Sequence, residues 1–384
     1  MNKAICIIGS GKEVVDRAKT HGLKILLVQS NKLCPLEPQK FADLVLICDF
    51  ELDDSVDQVV RLCRDSGISK ALTLSEHASC FTAKVNDKLN ETNTYYEQYR
   101  FFSNKLNMRR KLEDTPLNQV AFMEVKDKKD LITAADKLGM PMILKPAYGV
   151  GSRNIHLIRS HEDVMNILDL DEAYIAEAFI IGSEFSLECF SKEGIHTLHA
   201  VTEKGLFEDS PSMFVERNHL ITKKNNTGKL YQELQLFVDQ LLSHAGYKNG
   251  PSHIEVKVDG NNRISLIEAH SRVGGDSIPE LVALSTNIDL YNFSILSHMD
   301  YDFDNSRKKV ERESAIAFFP LPPVGKVLKG IQKLYCNPYV RHIKEPNNTH
   351  STSDVIRKSS DRNGYVIYCI RDGIEQIDIM RDIR

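Results

Sequence analysis

Short apolar runs at residues 4–8, 24–28, 44–48 and 71–74 alternate with stretches of helical period at 12–21 and 55–66. Runs of this length, with amphipathic helical stretches between them, are the pattern of β-α-β units around a parallel sheet. A Rossmann-like lobe is therefore expected over residues 1–100. Its first strand opens into IIGSGKEV, where Gly9 and Gly11 resemble two Gly-rich fingerprints and complete neither. Val14 stands where GxGxxG needs its last glycine, and no Ser or Thr follows Lys12. The loop reads as a tight strand-to-helix turn.

From about residue 101 the texture changes. A basic, helix-prone stretch, NKLNMRRKLED, precedes a strand near 120–125, a helix over 128–138 and the run PMILKPAYGVGSRNIHLI, in which two strands flank a glycine-containing turn. YIAEAFI, EFSLECF and IHTLHAV read as further strands separated by Gly182 and by residues 192–194, so antiparallel hairpins are predicted. A polar loop over 203–227, a helix over 230–245 and two strands, HIEVKV and RISLIEA, joined by the turn DGNN complete this α+β part. Helical stretches follow Gly275, and a last α+β segment containing SSDRNGYVIYCI begins at Ser314. The two-residue period puts His253, Glu255 and Lys257 on one face and Ile254, Val256 and Val258 on the other. It also puts Glu268 and His270 on the side of Ile264 and Leu266, so that Glu268 follows apolar neighbours into a partly desolvated setting.

Composition narrows the classes. A chain of 384 residues suits roughly two or three packed subdomains. The net charge of −4, with both signs intermixed, offers no basic face of the kind that binds nucleic acid. The apolar stretch at the N-terminus is too short for a signal-peptide core or a membrane span, so a cytoplasmic protein with no membrane partner is expected. Cys6, Cys34, Cys48, Cys63, Cys80, Cys189, Cys336 and Cys369 are scattered without a CxxC pair and read as reduced thiols. Without an export signal, the sequons at Asn90, Asn226, Asn292 and Asn348 carry no weight.

In ILKPAYGVGSR the strand ends at Lys145, Pro146 stops it, and Gly149, Gly151 and Ser152 form a turn with bare amide donors. Such a loop can fold over a triphosphate while Lys145 neutralises charge beneath it. A β-hairpin turn with a snorkelling lysine fits the same residues. The strand crossing in YIAEAFIIGSEFSLE can offer backbone groups to a base edge around Glu177, Ala178 and Phe179, and Glu184 can take sugar hydroxyls; alone this is a hairpin with a solvated carboxylate. A short turn between HIEVKV and ISLIEAHSR can set Glu255 beside Glu268. Two such carboxylates repel unless a cation bridges them, and magnesium prefers carboxylate and phosphate oxygens. Salt-bridged surface strands are the plainer reading of an isolated hairpin. Here the second strand runs into HSRVGGD, where Arg272 precedes a Gly-Gly turn, Gly274 and Gly275, that admits an anion closely.

At these residues the chain resembles the ATP-grasp superfamily, and within it the carboxylate-amine ligases that include bacterial L-amino acid ligases. The resemblance runs through SNKLNMRRKL, ILKPAYGVGS, EAFIIGSEFSLE, HIEVKV, LIEAHSRVGGDSIPELV, PPVGKV and DRNGYVI. It implies a Rossmann-like N-terminal lobe (1–100), an ATP-grasp domain of two α+β subdomains (101–304, with a mobile lid near 118–182) and a C-terminal α+β subdomain (305–384). It implies ATP held by Lys105, Lys145, the glycine loop, Glu177 to Phe179 and Glu184, with magnesium, or manganese, on Glu255, Glu268 and His270. Lys145 and Arg272 would act on the transferred phosphoryl group and the acyl intermediates. His270 departs from the family, which usually has Asn there; an imidazole prefers softer ions and titrates near neutrality. SPSMFVERNHL is similar to the family's substrate region, so Glu216 and His219, with Arg272, Gly274, Gly275 and Asp276, are expected at the substrates. The implied reaction activates a carboxylate as an acyl phosphate and couples it to an amine, with small-molecule substrates and a homodimeric enzyme. Loading of an amino acid onto a carrier protein, a non-catalytic ATP-binding regulator and a biotin-dependent carboxylase are the competing readings.

Overall fold

β1 (Ala4–Ile8), β2 (Lys24–Ser30), β3 (Leu44–Cys48) and β4 (Ala71–Leu72) form a parallel sheet in the order β3-β2-β1-β4. The computed structural model from which this is read describes residues 3–149, 151, 153–168, 170–207, 214–319, 331–346, 356 and 358–370. Alternate residues of β1 and β2 serve two cores. Ile5, Ile7, Ile25 and Leu27 pack on Val14, Val15 and Ala18 of the helix Lys12–Thr20, whereas Cys6, Ile8, Leu26 and Val28 pack on Val56, Val59 and Val60 of the helix Asp53–Asp65. Burial on both faces is why these strands read as unbroken apolar runs. In the turn after β1, Gly9 has φ +61°, and a Cβ there would stand 2.5 Å from that of Ala78, so this position needs glycine for both reasons.

The basic stretch is the helix Lys105–Leu112, capped by Asn104, whose side chain accepts from the Asn107 amide. The Lys105 amide donates to Ala147 O at 2.9 Å, tying the start of this helix to the loop after Lys145. β5 (Phe122–Val125), β6 (Met142–Pro146), β7 (His156–Ile158) and β8 (Tyr174–Ala178) form an antiparallel sheet in the order β5-β8-β6-β7. Leu131, Ala134 and Ala135 of the helix Lys128–Leu138 cover its apolar face.

The third sheet is antiparallel: β9 (Ser183–Lys192), β10 (Ile195–Leu206), β11 (Glu216–Ile221), β12 (Gly250–Val258), β13 (Ile264–His270), β14 (Glu313–Phe318), β15 (Val340–Lys344) and β16 (Tyr365–Ile370), in the order β13-β12-β9-β10-β11-β14-β16-β15. The helix Gly228–His244 buries Leu234, Val238 and Leu241 against Leu187, Leu198, Ile254 and Val256. The segment 203–227 is not the loop its polarity predicts, because β10 runs on to Leu206 and β11 pairs with both β10 and β14. Glu203 and Lys204 belong to β10 and Glu216 to His219 to β11, with Asn218 and His219 buried, whereas residues 222–227 form the turn before the next helix. The last α+β segment extends the same sheet, since β14 pairs with β11 and β16 with β14. PPVGKV, at 322–327, lies outside the described residues. All eight cysteines are unbridged, and among the described residues no helix is long and apolar enough to cross a membrane.

Candidate active site

β12 sends Ile254, Val256 and Val258 into the core and His253, Glu255 and Lys257 to the opposite face, following the two-residue period. β13 breaks that period. Glu255 lies opposite Glu268 but Val256 lies opposite Leu266, so Ile267 is an extra residue and the strand bulges. The bulge corrects the expected facing: Ile264 and Leu266 stay with the core while Glu268 and His270 turn to the Glu255 side. A second bulge acts on β11. Gly205 pairs with Asn218 and Leu206 with Glu216, leaving Arg217 extra, so Glu216 and His219, which a regular strand would face apart, line one chamber.

Lys145, at the end of β6, is 5% exposed, and its Nζ lies 2.8 Å from Glu177 Oε2. The other Glu177 oxygen accepts from Arg109 Nε at 2.7 Å, and Arg109 also donates to Leu266 O at 2.6 Å. The Glu177 side chain is thus a buried counter-ion. The amides of Ala178 and Phe179 donate to Ala121 O and Pro141 O at 2.9 and 3.3 Å, which ties the end of β8 to the start of β5 and of β6. Burial alone would raise the Glu177 carboxyl, but Arg109 and Lys145 overcome it and hold it down at about 2. Glu177→Gln should therefore cost about 3–5 kcal/mol by leaving Arg109 without a counter-charge. Because the folded-state pKa lies below the unfolded value, this contribution is complete above pH 4.5 and fades as pH falls toward 2. Denaturant unfolding of both proteins from pH 7 to pH 2.5 checks it; a difference that does not shrink in acid contradicts the assignment.

Lys105 Nζ contacts Glu268 Oε2 at 2.9 Å and donates to Gly149 O at 2.9 Å, so one ammonium joins the carboxylate to the glycine loop. Gly149 and Gly151 have φ +132° and +76° in open space; Ser152 lies outside the described residues. Glu255 Oε1 meets Lys204 Nζ at 2.6 Å, and Lys204 also meets Glu216 at 3.2 Å and Glu184 at 3.5 Å. Burial would raise Glu255 and Glu268; Lys204 for the first and Lys105 for the second hold both well below the usual carboxylate range. Each glutamate is also backed by a histidine reaching to a further carboxylate. His253 joins Glu255 (3.1 Å) to Glu188 (2.8 Å), and His270 joins Glu268 (3.1 Å) to Glu76 (3.1 Å). Burial would lower His253, but Glu188 and Glu255 push it up to about 9, so it is an imidazolium.

Among the described residues no group of three His, Cys, Asp or Glu side chains could hold a metal ion by itself. Each ring nitrogen of His270 lies 3.1 Å from a carboxylate oxygen. What the sheet presents is a facing pair of ionised glutamates, a donor set that suits magnesium when phosphate oxygens and water complete the shell.

Arg272 Nε lies 2.8 Å from Glu76, which comes from the helix Glu76–Asn90. Beyond it, a Cβ on Gly274 would stand 2.9 Å from His253 Nδ1, whereas Gly275 faces open space. Asp276 takes Arg362 at 2.6 Å and His219 at 3.5 Å, and Glu216 accepts from Ser359 Oγ at 3.2 Å. Two chambers result. One is lined by Lys105, Lys145, Ile143, Phe179 and Ile267; the other by Lys204, His219, His253, Arg272 and Asp276; Gly151, Glu216, Glu255 and Glu268 line both.

Glu76, Arg109, Glu188, Lys204 and Arg362 were not singled out from the sequence. Lys204 had a signal: it continues the alternation of β10 through Thr202. Arg109 had a weaker one, sharing the buried side of its helix with Leu106, Met108 and Leu112.

Residues 138–280 match the model of the ATP-grasp domain. The L-arginine-specific L-amino acid ligase of Bacillus subtilis is 25% identical over 243 residues, 59% of this chain and 56% of that protein. A D-alanine–D-alanine ligase of Mannheimia succiniciproducens is 22% identical over 161 residues, 41% of this chain and 52% of that protein. The match spans between 52% and 62% of the length of the first curated relatives. Among solved structures, the L-amino acid ligase from Bacillus licheniformis superposes with TM-score 0.78 at 22% identity, over 99% of this chain and 96% of that one. N5-carboxyaminoimidazole synthetase from Staphylococcus aureus complexed with ADP superposes with TM-score 0.75 at 16% identity, over 100% of this chain and 97% of that one. The chain has the ATP-grasp fold.

Proposed function

We propose that this chain, with its ATP-grasp domain at residues 138–280, is an ATP-dependent carboxylate–amine ligase that activates an amino acid or related acid and joins it to an amine. The observation that carries the reading is the meeting of two chambers at Glu255 and Glu268, with paired lysines on one side and an arginine on the other. In this reading the first chamber takes ATP. Ala178 and Phe179 border the base, Glu184 the ribose, and Lys105, Lys145 and the glycine loop the phosphates. Glu255 and Glu268 would hold magnesium, or manganese, which when bound supplies charge neutralisation between the phosphates. His270 orients Glu268 and Glu76 orients Arg272.

Attack of the acid's carboxylate oxygen on the γ-phosphorus forms the acyl phosphate and releases ADP. Lys105, Lys145 and Arg272 offset the charge that spreads over the transferred oxygens. The amine then adds to the activated carbonyl and phosphate leaves. Asp276, Glu216 and His219 line the chamber where an ammonium group of either substrate would sit, and Gly274 and Gly275 let the backbone close on it. The lid, near 118–182, would exclude the water that hydrolyses an acyl phosphate.

The test is incubation of the purified protein with ATP, magnesium and pools of amino acids, with phosphate release and product mass followed together. Phosphate that depends on a given pool, with a product mass equal to two substrates less one water, is the expected result. No pool-dependent phosphate would remove free amino acids as substrates.

A further inference from the structure

Behind the catalytic groups a second cleft of about 370 Å³ opens where the N-terminal lobe meets the third sheet, a volume within the range of small-molecule sites. One wall is the segment from Lys70 to Leu74 with Thr82 of the following helix; the other carries Lys248, Ser271 and Ser297. No Asp or Glu is among its lining residues, whereas the catalytic chambers are crowded with carboxylates. Lys70 and Lys248 have no carboxylate partner among the described residues. Thr82 is 4% exposed, and its hydroxyl finds no hydrogen-bond partner. A buried unpaired hydroxyl is costly unless a ligand or water satisfies it.

His298 completes the set. Its Nε2–H donates to Lys70 O, 2.9 Å away, and burial together with the Lys70 ammonium pushes it down to about 3, so it adds no charge of its own. The two lysines are therefore the only charged groups of the lining, among hydroxyls and amides suited to an oxygen-rich ligand.

We propose that this cleft is a second binding site, for a small hydroxyl-bearing anion whose phosphate or carboxylate lies between Lys70 and Lys248 and whose hydroxyls meet Thr82, Ser271 and Ser297. It is separate from the catalytic chambers and adjoins them, since Ser271 precedes Arg272 and Leu74 lies two residues before Glu76.

Calorimetric titration of the full chain with glycerol 3-phosphate and with glycerate tests this, the two probes distinguishing a phosphate from a carboxylate. Saturable binding of at least one is expected. Lys70→Ala and Lys248→Ala should each weaken it about tenfold, the latter at an exposed residue that folding does not need. Lys145→Ala should leave it unchanged, whereas a phosphate bound in the catalytic chamber would respond the other way. Absence of saturable binding by either probe, indifference to both cleft lysines, or loss in Lys145→Ala alone overturns the proposal. None of these outcomes depends on which reaction the catalytic chambers perform.

Discussion

Lys204→Met is expected to lower stability by about 3 kcal/mol at neutral pH, because it strips the buried cation from three largely enclosed carboxylates. Lys204 is 7% exposed as a residue, and its ammonium lies within 3.5 Å of Glu184, Glu216 and Glu255. Burial alone would depress a lysine in this place, yet these glutamates raise it well above its ordinary value, so the charge belongs to the folded state. Methionine matches the length of the stem and removes only the ammonium. Urea unfolding at pH 7 measures the cost, and a loss below about 1 kcal/mol, the scale of an exposed pair, would show that solvent already screens the cluster. If Glu255 is a metal ligand, magnesium should stabilise the variant more than the wild type, because an ion that binds only the folded state replaces the missing charge. Equal responses would separate Glu255 from the metal.

The second large effect is on turnover. Glu268→Gln should reduce ATP-dependent ligation by roughly 10³-fold or more, the scale on which phosphoryl transfer responds to loss of one charge-stabilising group. It should also lose part of the stability that the Lys105 contact supplies, so turnover is compared on the folded fraction. The amide keeps the shape of the carboxylate and relieves its repulsion from Glu255, while the contact with Lys105 loses only its charge. Kinetics and an unfolding curve on the same preparation separate the two consequences. Turnover within tenfold of wild type would refute the placement of Glu268 at the metal.

Much of this arrangement was legible along the chain. The unbroken apolar runs of β1 and β2 announce strands buried on both faces. HIEVKV announces a strand with one chemical face, because alternation survives wherever a strand is regular. Lys145 at the end of an apolar strand, before Pro146 and the glycines, marked a buried lysine ahead of a glycine turn, and the structure gives that lysine Glu177 as its partner. The short turn of the hairpin allowed Glu255 to stand beside Glu268, and the strand register puts them opposite each other.

Other parts had no local signature. A bulge is a single inserted residue, and nothing in ISLIEAH distinguishes Ile267 from its neighbours; the period of two therefore put Glu268 on the wrong side of β13, and only pairing with β12 corrects it. The polar composition of ERNHL hid β11, since Glu216 and His219 line a charged chamber and only Leu220 and Ile221 pack against apolar neighbours.

What the sequence alone determined was the order of the elements with apolar faces, the facing of the regular strands and the residue types that could meet a triphosphate and a divalent ion. What only the tertiary structure decided was which charges neutralise which. Glu76 reaches Arg272 across 196 positions and Arg109 reaches Glu177 across 68, distances over which no pattern along the chain constrains a contact. A buried charge is stabilised by whatever opposite charge the fold delivers within a few ångströms. Its partner is therefore a property of the packed sheets and lobes, and Lys204 among its glutamates is the clearest instance.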